Sequence, residues 1–487
     1  MLNSTITDWQ VVMTAIEQKF LYEQVAEDMR HAITIGTYSS EERLPSLRKI
    51  TSLYGVSLAT AIQAYQWLED SGFVEARPKS GYYVLPRGCG KACEPEVSNP
   101  RMKASEVTVG ELALGILEEA RRPDLINLGA AVPGEDLLPL KNMSRIYAGV
   151  ARREEALLGH YEAQQGNELL RKQISRQLRS SGVRVHPDEV IITNGCMEAL
   201  ILSLRAICKV GDTVAIESPS YYGMLQAAEL LRLNVLELPT HPRDGVDLNA
   251  LQQALDKKMI NVCLFMPSFN NPLGSSMPHK NRKQLVEMLA AENVPLIEDD
   301  IYGDLSYDTP RLPAAKSFDC HGNVLLCSSF SKTLAPGYRI GYVVPGKYFD
   351  AVLKRKFLGN VASAGIPQVA LAEFLRKGSY ERVVRKAALH YKQRTDRLRQ
   401  LVLQYFPEGT RVTQPQGGFV LWIEMPEHIS GVALHDRALA AGISITPGVI
   451  FSPGGDYQHH IRMSASAVDG DAIDRAVKTL GELSNKF

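Results

Sequence analysis

Ser328-Ser329-Phe330-Ser331-Lys332-Thr333-Leu334-Ala335-Pro336-Gly337-Tyr338-Arg339-Ile340-Gly341 decides how this chain is read. It follows one apolar run, Val324–Cys327, and leads into another, Ile340–Val344. A lysine at the end of a buried strand loses hydration, which disfavours its charged form. An amine depressed in this way is suited to forming a Schiff base with a carbonyl compound. Ser329 and Ser331 add hydroxyls and Arg339 a charged fork, the groups that hold a phosphate. Ser-Lys alone reads equally well as a solvated loop, so the weight falls on the sequence around it.

Upstream, further apolar runs alternate with helical patterns: Val190–Thr193, Thr213–Glu217, Val235–Leu238, Val262–Met266 and Leu296–Asp299. Continuously apolar strands of this kind predict a mostly parallel sheet covered by helices on both faces. Ile297-Glu298-Asp299-Asp300-Ile301-Tyr302 puts acids at the C-terminal end of such a strand, where open α/β sheets bind ligands. An aspartate there can keep a pyridine nitrogen protonated. Asn270-Asn271-Pro272-Leu273-Gly274 offers an amide in a fixed turn. Asn194-Gly195-Cys196-Met197-Glu198 joins a strand to a helix whose first N–H groups can take a phosphate. Ser218-Pro219-Ser220-Tyr221-Tyr222-Gly223 supplies an aromatic ring for a flat heterocycle.

These motifs, in this chain order over about 380 residues, resemble the fold-type I aminotransferases. The resemblance implies pyridoxal 5′-phosphate as cofactor, with Lys332 bonded to it and Asp299 paired with its ring nitrogen. Asp300 is the rival for that pairing; Tyr302 lies three positions after Asp299, matching the family's Asp-x-x-Tyr spacing. By the same resemblance Asn271 and Tyr302 would hydrogen-bond the ring's 3-oxygen, and Tyr221 would stack on the ring. Gly195, Cys196, Met197, Ser329, Ser331 and Arg339 would surround the phosphate. Tyr161 would reach the cofactor of a second subunit, implying a homodimer, and Arg462 would clamp a substrate or effector carboxylate. Where this chain has Cys196-Met197 the family has Ser or Thr, often followed by Gln. That departure removes a hydroxyl from the phosphate and leaves more of the binding to backbone amides and Arg339.

Residues 10–86 follow a different pattern. Leu21, Val25, Met29 and Ile33 share one helical face. Ser46 is placed to cap a helix carrying Leu47, Ile50 and Leu53, which Gly55 ends. Ser57 caps another with Ala61, Ala64, Tyr65 and Leu68 inside, stopped by Gly72. Phe73–Arg77 and Tyr82–Val84 alternate as a hairpin with Lys79-Ser80-Gly81 at its tip. Arg43-Leu44-Pro45-Ser46-Leu47-Arg48, Gly55-Val56-Ser57 and Ala76 to Val84 resemble the GntR-type winged helix. Its fusion to an aminotransferase-like domain is the arrangement of the MocR subfamily of transcription regulators.

The resemblance implies DNA as partner. Arg43, Ser46 and Arg48 would contact phosphates, Ser57, Thr60 and their helix would enter the major groove, and Lys79 and Gly81 would form the wing. Residues 1–86 carry seven bases against ten acids. Arg43, Arg48, Lys49, Arg77 and Lys79 nevertheless cluster in the turn, helix-start and wing regions. Where the family usually has Arg after Val-Ser, this chain has Leu58. With the inner face already supplied, Leu58 and Ile62 either face the groove, against thymine methyls, or pack against the first helix or the wing.

The chain is therefore read as multi-domain, an N-terminal all-α/winged helix-turn-helix plus an α/β fold-type I aminotransferase-like domain with a mostly parallel sheet. The expected boundaries are 10–86 for the DNA-binding domain, 87–104 for a Gly/Pro-rich linker, and 105–487 for cofactor binding, dimerisation and effector sensing. The expected function is a regulator sensing an amino compound or a B6 vitamer; the alternative is an active aminotransferase with a DNA-binding appendage. At 487 residues with 45 % hydrophobic and 22 % charged residues, the composition is that of large packed cores. Bases and acids balance at 54 each, so any nucleic-acid footprint is local. No membrane-length apolar stretch or export signal is evident, so a cytoplasmic location is expected. Seven scattered cysteines make no disulfide framework, and Cys89 and Cys93 lack partners for zinc; no metal is expected.

Overall fold

The computed structural model describes residues 21–34, 37–38, 42–70, 73–77, 80–84, 94–107, 115–116, 118–119, 121–307, 311–466 and 470–487. They fall into two compact units, residues 1–90 and 91–487. Cys89, Cys93, Gly72 and Lys79 lie outside the described residues.

In the first unit α1 (Leu21–Thr34) and α2 (Leu47–Tyr54) pack against α3 (Leu58–Asp70). Ser46 caps α2 by accepting from the Lys49 amide at 3.3 Å. Gly55 ends it at φ 64°, a left-handed conformation that favours glycine. The Ser57 hydroxyl accepts from the Thr60 amide at 3.1 Å and starts α3. β1 (Val74–Arg77) and β2 (Gly81–Val84) pair antiparallel, Val74 opposite Val84 and Arg77 opposite Gly81. Val25, Met29, Ile33, Ile50, Ala61, Ala64, Tyr65, Leu68, Val74 and Val84 form the core, each large aliphatic contributing about 1.5–3 kcal/mol by burial. Two residues expected on inner faces are exposed, Leu21 at 54 % and Leu53 at 65 %. Leu21 stands at the first described position of α1, and Leu53 lies in the last turn of a two-turn helix that Ile50 anchors.

The second unit is built on an eight-stranded sheet. After β3 (Ile126–Asn127) come β4 (Ile191–Thr193), β5 (Thr213–Ser218), β6 (Asn234–His241), β7 (Gly245–Val246), β8 (Val262–Phe265), β9 (Leu296–Asp299), β10 (Val324–Ser329) and β11 (Gly341–Val344). The sheet order is β4-β11-β10-β9-β8-β5-β6-β7, with only β11 and β7 antiparallel to their neighbours. β4, β5, β8, β9 and β10 therefore share one C-terminal edge, and the motifs singled out above all follow these strands.

A second sheet was not anticipated: β12 (Arg411–Val412), β13 (Val420–Glu424), β15 (Thr446–Pro447) and β16 (His460–Ser464), all antiparallel, with β14 (Ile443–Ser444) pairing β3 in parallel beside it. Val420 to Ile423 are all buried, so this strand lacks the alternation that marks a half-exposed antiparallel sheet. Residues 94–104, expected as linker, are attached to this unit. Ser98 Oγ accepts from the Thr240 amide at 2.7 Å, Glu94 pairs with Arg243, and Ser105 bridges Val235.

Candidate cofactor site and nucleic-acid face

Lys332 follows β10 in a short turn, its Nζ donating to the Ala131 carbonyl at 2.6 Å and standing 5.6 Å from the centre of the Tyr302 ring. Burial, with the Arg462 and Arg339 cations nearby, pushes its pKa down to about 8.

Asp299 ends β9 and is 2 % exposed. Its Oδ1 accepts from the Ile301 amide at 3.1 Å and from the Cys196 thiol at 3.4 Å; Oδ2 accepts nothing from the described residues. Burial with no cation bonded to it lifts its pKa to about 7. Asp300 is engaged elsewhere: Arg311 binds it together with Asp304. Successive acids at a strand end point to opposite sides, and only Asp299 faces the lysine.

The remaining cofactor candidates gather around these two. Gly195 has φ 84°, and a Cβ there would meet the Arg339 guanidinium at 2.5 Å, so a side chain would displace that cation. The helix Cys196–Ile207 starts at Gly195 without a side-chain cap. Arg339 donates to the Asn194 carbonyl at 3.2 Å and to Ser331 Oγ at 3.5 Å, and Ser329 Oγ accepts from the Ser331 amide. The Glu198 carboxylate occupies the Asn194 amide at 2.6 Å. Tyr221 lies over Gly223, where a Cβ would meet the ring at 2.5 Å and the Met197 sulfur at 3.1 Å. Tyr302 is buried edge-on against Phe419.

Arg462, on β16, is 1 % exposed. It donates to Asn271 Oδ1 at 3.1 Å, to Thr446 Oγ1 at 3.2 Å and to the Gly129 carbonyl, while its Nε has no partner among the described residues. All of these acceptors are neutral, and burial lowers its pKa. Gly129 and Ala131, whose carbonyls hold Arg462 and Lys332, belong to a loop that sequence reasoning missed; backbone acceptors carry no side-chain signature, and only the small residues Gly129-Ala130-Ala131 hinted at a close approach. Tyr161 stands apart, 88 % exposed.

On the first unit, Ser46, Arg48, Lys49, Ser57 and Leu58 are exposed, Leu58 at 52 %; Thr60 and Ile62 are half-buried. Leu58 thus does not pack into the core, and the half-buried Ile62 is not among the side chains packed against it. Arg43 lies against the wing: a Cβ at Gly81 would stand 3.1 Å from its Nε. Arg77, one of the bases clustered near the wing, is held by Glu75 at 2.6 Å and by the Tyr83 ring at 4.4 Å.

Residues 124–480 match the family described as aminotransferase class I and II, and residues 21–84 match the bacterial regulatory proteins of the gntR family. The chain is 36 % identical to YdcR and 34 % identical to YjiR, both uncharacterized HTH-type transcriptional regulators of Escherichia coli, with 95 % of this chain and 98 % of each relative covered. Its second unit is similar to LysN, the alpha-aminoadipate aminotransferase of Thermus thermophilus solved with N-(5′-phosphopyridoxyl)-L-leucine. The two are 26 % identical with a TM-score of 0.72, over 79 % of this chain and 96 % of that one. The kynurenine aminotransferase of Pyrococcus horikoshii is also 26 % identical, with a TM-score of 0.71, over 77 % of this chain and 94 % of that one. With a gntR-type winged helix at one end and a class I and II aminotransferase fold filling the rest, the chain belongs to the MocR subfamily of GntR-type transcription regulators.

Proposed function

We propose that this chain is a DNA-binding transcription regulator whose second unit holds pyridoxal 5′-phosphate and senses an amino compound or a B6 vitamer. One observation carries the reading: a chain of gntR type also brings together a depressed lysine, a buried aspartate without a counter-cation and a buried arginine bonded only to neutral groups. The donor set fits the cofactor. Asp299 lacks the cation that a protonated ring nitrogen supplies, and the uncapped helix start beside Arg339 suits a phosphate.

Bound there, pyridoxal 5′-phosphate supplies an aldehyde for an amine and an electron-accepting ring. Lys332 offers the amine, and with a pKa of about 8 roughly a tenth of it is neutral at pH 7. Asp299 would keep the proton on the ring nitrogen. Asn271 and Tyr302 would hold the 3-oxygen, and Tyr221 would cover the ring. Ser329, Ser331, Arg339 and the amides of Cys196 and Met197 would take the phosphate. Arg462 pairs with the carboxylate of the sensed compound, which relieves a buried charge that costs several kcal/mol unpaired. The exposed Tyr161 reaches the phosphate of a second copy, so the working form is a homodimer. In the first unit, Arg43, Ser46 and Arg48 grip DNA phosphates, Ser57, Leu58, Thr60 and Ile62 face the major groove, and Gly81 lies in the wing; Lys79, outside the described residues, is a further DNA contact in this reading. A ligand that favours one arrangement of the DNA-binding arms shifts operator affinity by its differential affinity for the two.

A second reading, an aminotransferase with a DNA-binding appendage, is favoured by the complete set Lys332, Asp299, Tyr302 and Arg462. Operator binding and amino-group turnover, measured side by side on the purified protein, separate the two. The regulator reading expects sequence-specific binding that changes with ligand, and slow turnover. Rapid turnover without sequence-specific binding would sink it.

A further inference from the structure

Cys196 is the first residue of its helix and follows the glycine beside the phosphate cradle, a place that suggests a phosphate contact. Its side chain goes elsewhere. The thiol is 5 % exposed and donates to Asp299 Oδ1, the oxygen that also takes the Ile301 amide. Two donors on one oxygen fix the rotation of the carboxylate about its terminal bond, which is otherwise broad and two-fold. The fixed rotation leaves Oδ2 as the free acceptor. Cys196 reaches Asp299 from the helix packed on the sheet and Ile301 from the loop after β9, so helix and strand are tied at the point where the ring nitrogen would sit.

We infer that the Cys196 thiol is a positioning group for Asp299, acting on the cofactor's ring nitrogen through that carboxylate, while only the backbone amide of Cys196 serves the phosphate. The inference rests on the cofactor reading above. It concerns one contact within that site, and the two can fail separately. A thiol is a weak donor, but here the acceptor is a carboxylate, and bonds to charged groups are the stronger class. Loss of the thiol should therefore weaken binding by about threefold to tenfold, since tenfold corresponds to about 1.4 kcal/mol.

The test measures dissociation constants of the full-length protein, its Cys196→Ala and Cys196→Ser variants, for three ligands. These are pyridoxal 5′-phosphate, pyridoxal without the phosphate, and a pyridoxal 5′-phosphate analogue with carbon in place of the ring nitrogen. Cys196→Ala should weaken the first two by the same factor and leave the third unchanged, and Cys196→Ser, which restores a donor, should recover most of the loss. A loss confined to the two phosphate-bearing ligands would make Cys196 a phosphate contact and overturn the inference. An equal loss for all three would make it merely structural and overturn it as well. If the unaltered protein binds none of the three, the cofactor reading falls and takes this inference with it.

Discussion

Replacing Asp299 with Asn should stabilise the cofactor-free protein, and by more at high pH than at low. In the folded chain the carboxyl is lifted from 3.8 to about 7, chiefly by burial. Below about pH 4 the group is protonated in both folded and unfolded chains and contributes nothing. Between the two pKa values only the unfolded chain ionises, so stability falls as pH rises; above about 7 the loss is level. Each unit is worth about 1.36 kcal/mol, which puts the cost of the carboxylate at about 4 kcal/mol at pH 8 and about 1.5 kcal/mol at pH 5. Asparagine keeps the shape and carries no charge, so the gain from Asp299→Asn should be about 2–3 kcal/mol larger at pH 8 than at pH 5. Denaturant unfolding of cofactor-free wild type and variant at both pH values reads this directly, since titrations not coupled to Asp299 cancel in the difference. A gain equal at both pH values, or a variant less stable at pH 8, would mean that burial does not hold the Asp299 carboxyl up. With pyridoxal 5′-phosphate bound the order should invert, because the ring nitrogen then supplies the missing cation.

Three other outcomes are expected. Lys332→Ala should abolish the borohydride-trapped, mass-tagged peptide that wild type yields with pyridoxal 5′-phosphate; an unchanged tag in the variant would remove the lysine assignment. Arg48→Ala should weaken binding to all DNA sequences alike and lower the salt dependence by about one counterion, whereas a loss tied to a single operator base would contradict a phosphate contact. Leu58, 52 % exposed, should meet a thymine methyl: uracil at that operator position should weaken binding by roughly 1 kcal/mol, and no change there would return Leu58 to a surface role.

What could be read beforehand was whatever leaves a residue-type trace along the chain. Lys332 after an apolar run, Asp299 with Tyr302 three positions on, and Gly195 before a helix are recognisable because strand-end chemistry needs those side chains in sequence proximity to their elements. The inner face of α3 was legible for the same reason, since Ala61, Ala64, Tyr65 and Leu68 recur at helical spacing and all are buried. Contacts made by backbone were not. The carbonyls of Gly129 and Ala131 come from a loop 333 and 201 residues away, respectively, from the groups they hold. The orientation of Cys196 depends on a strand a hundred residues distant. Composition misled at residues 94–104, where Pro95, Ser98 and Pro100 without apolar periodicity suggested a free linker. Ser98 and Glu94 instead find partners on the second unit that no local pattern announces.

In the function proposed, a cofactor bonded at Lys332 changes which DNA sites the chain holds. Genome-wide mapping of the sites bound by wild type and by Lys332→Ala, each with and without added pyridoxal 5′-phosphate, tests it most directly. Discrete sites are expected whose occupancy in wild type changes with the cofactor and in Lys332→Ala does not. Discrete sites absent altogether, or occupied by wild type identically in both conditions, would contradict it.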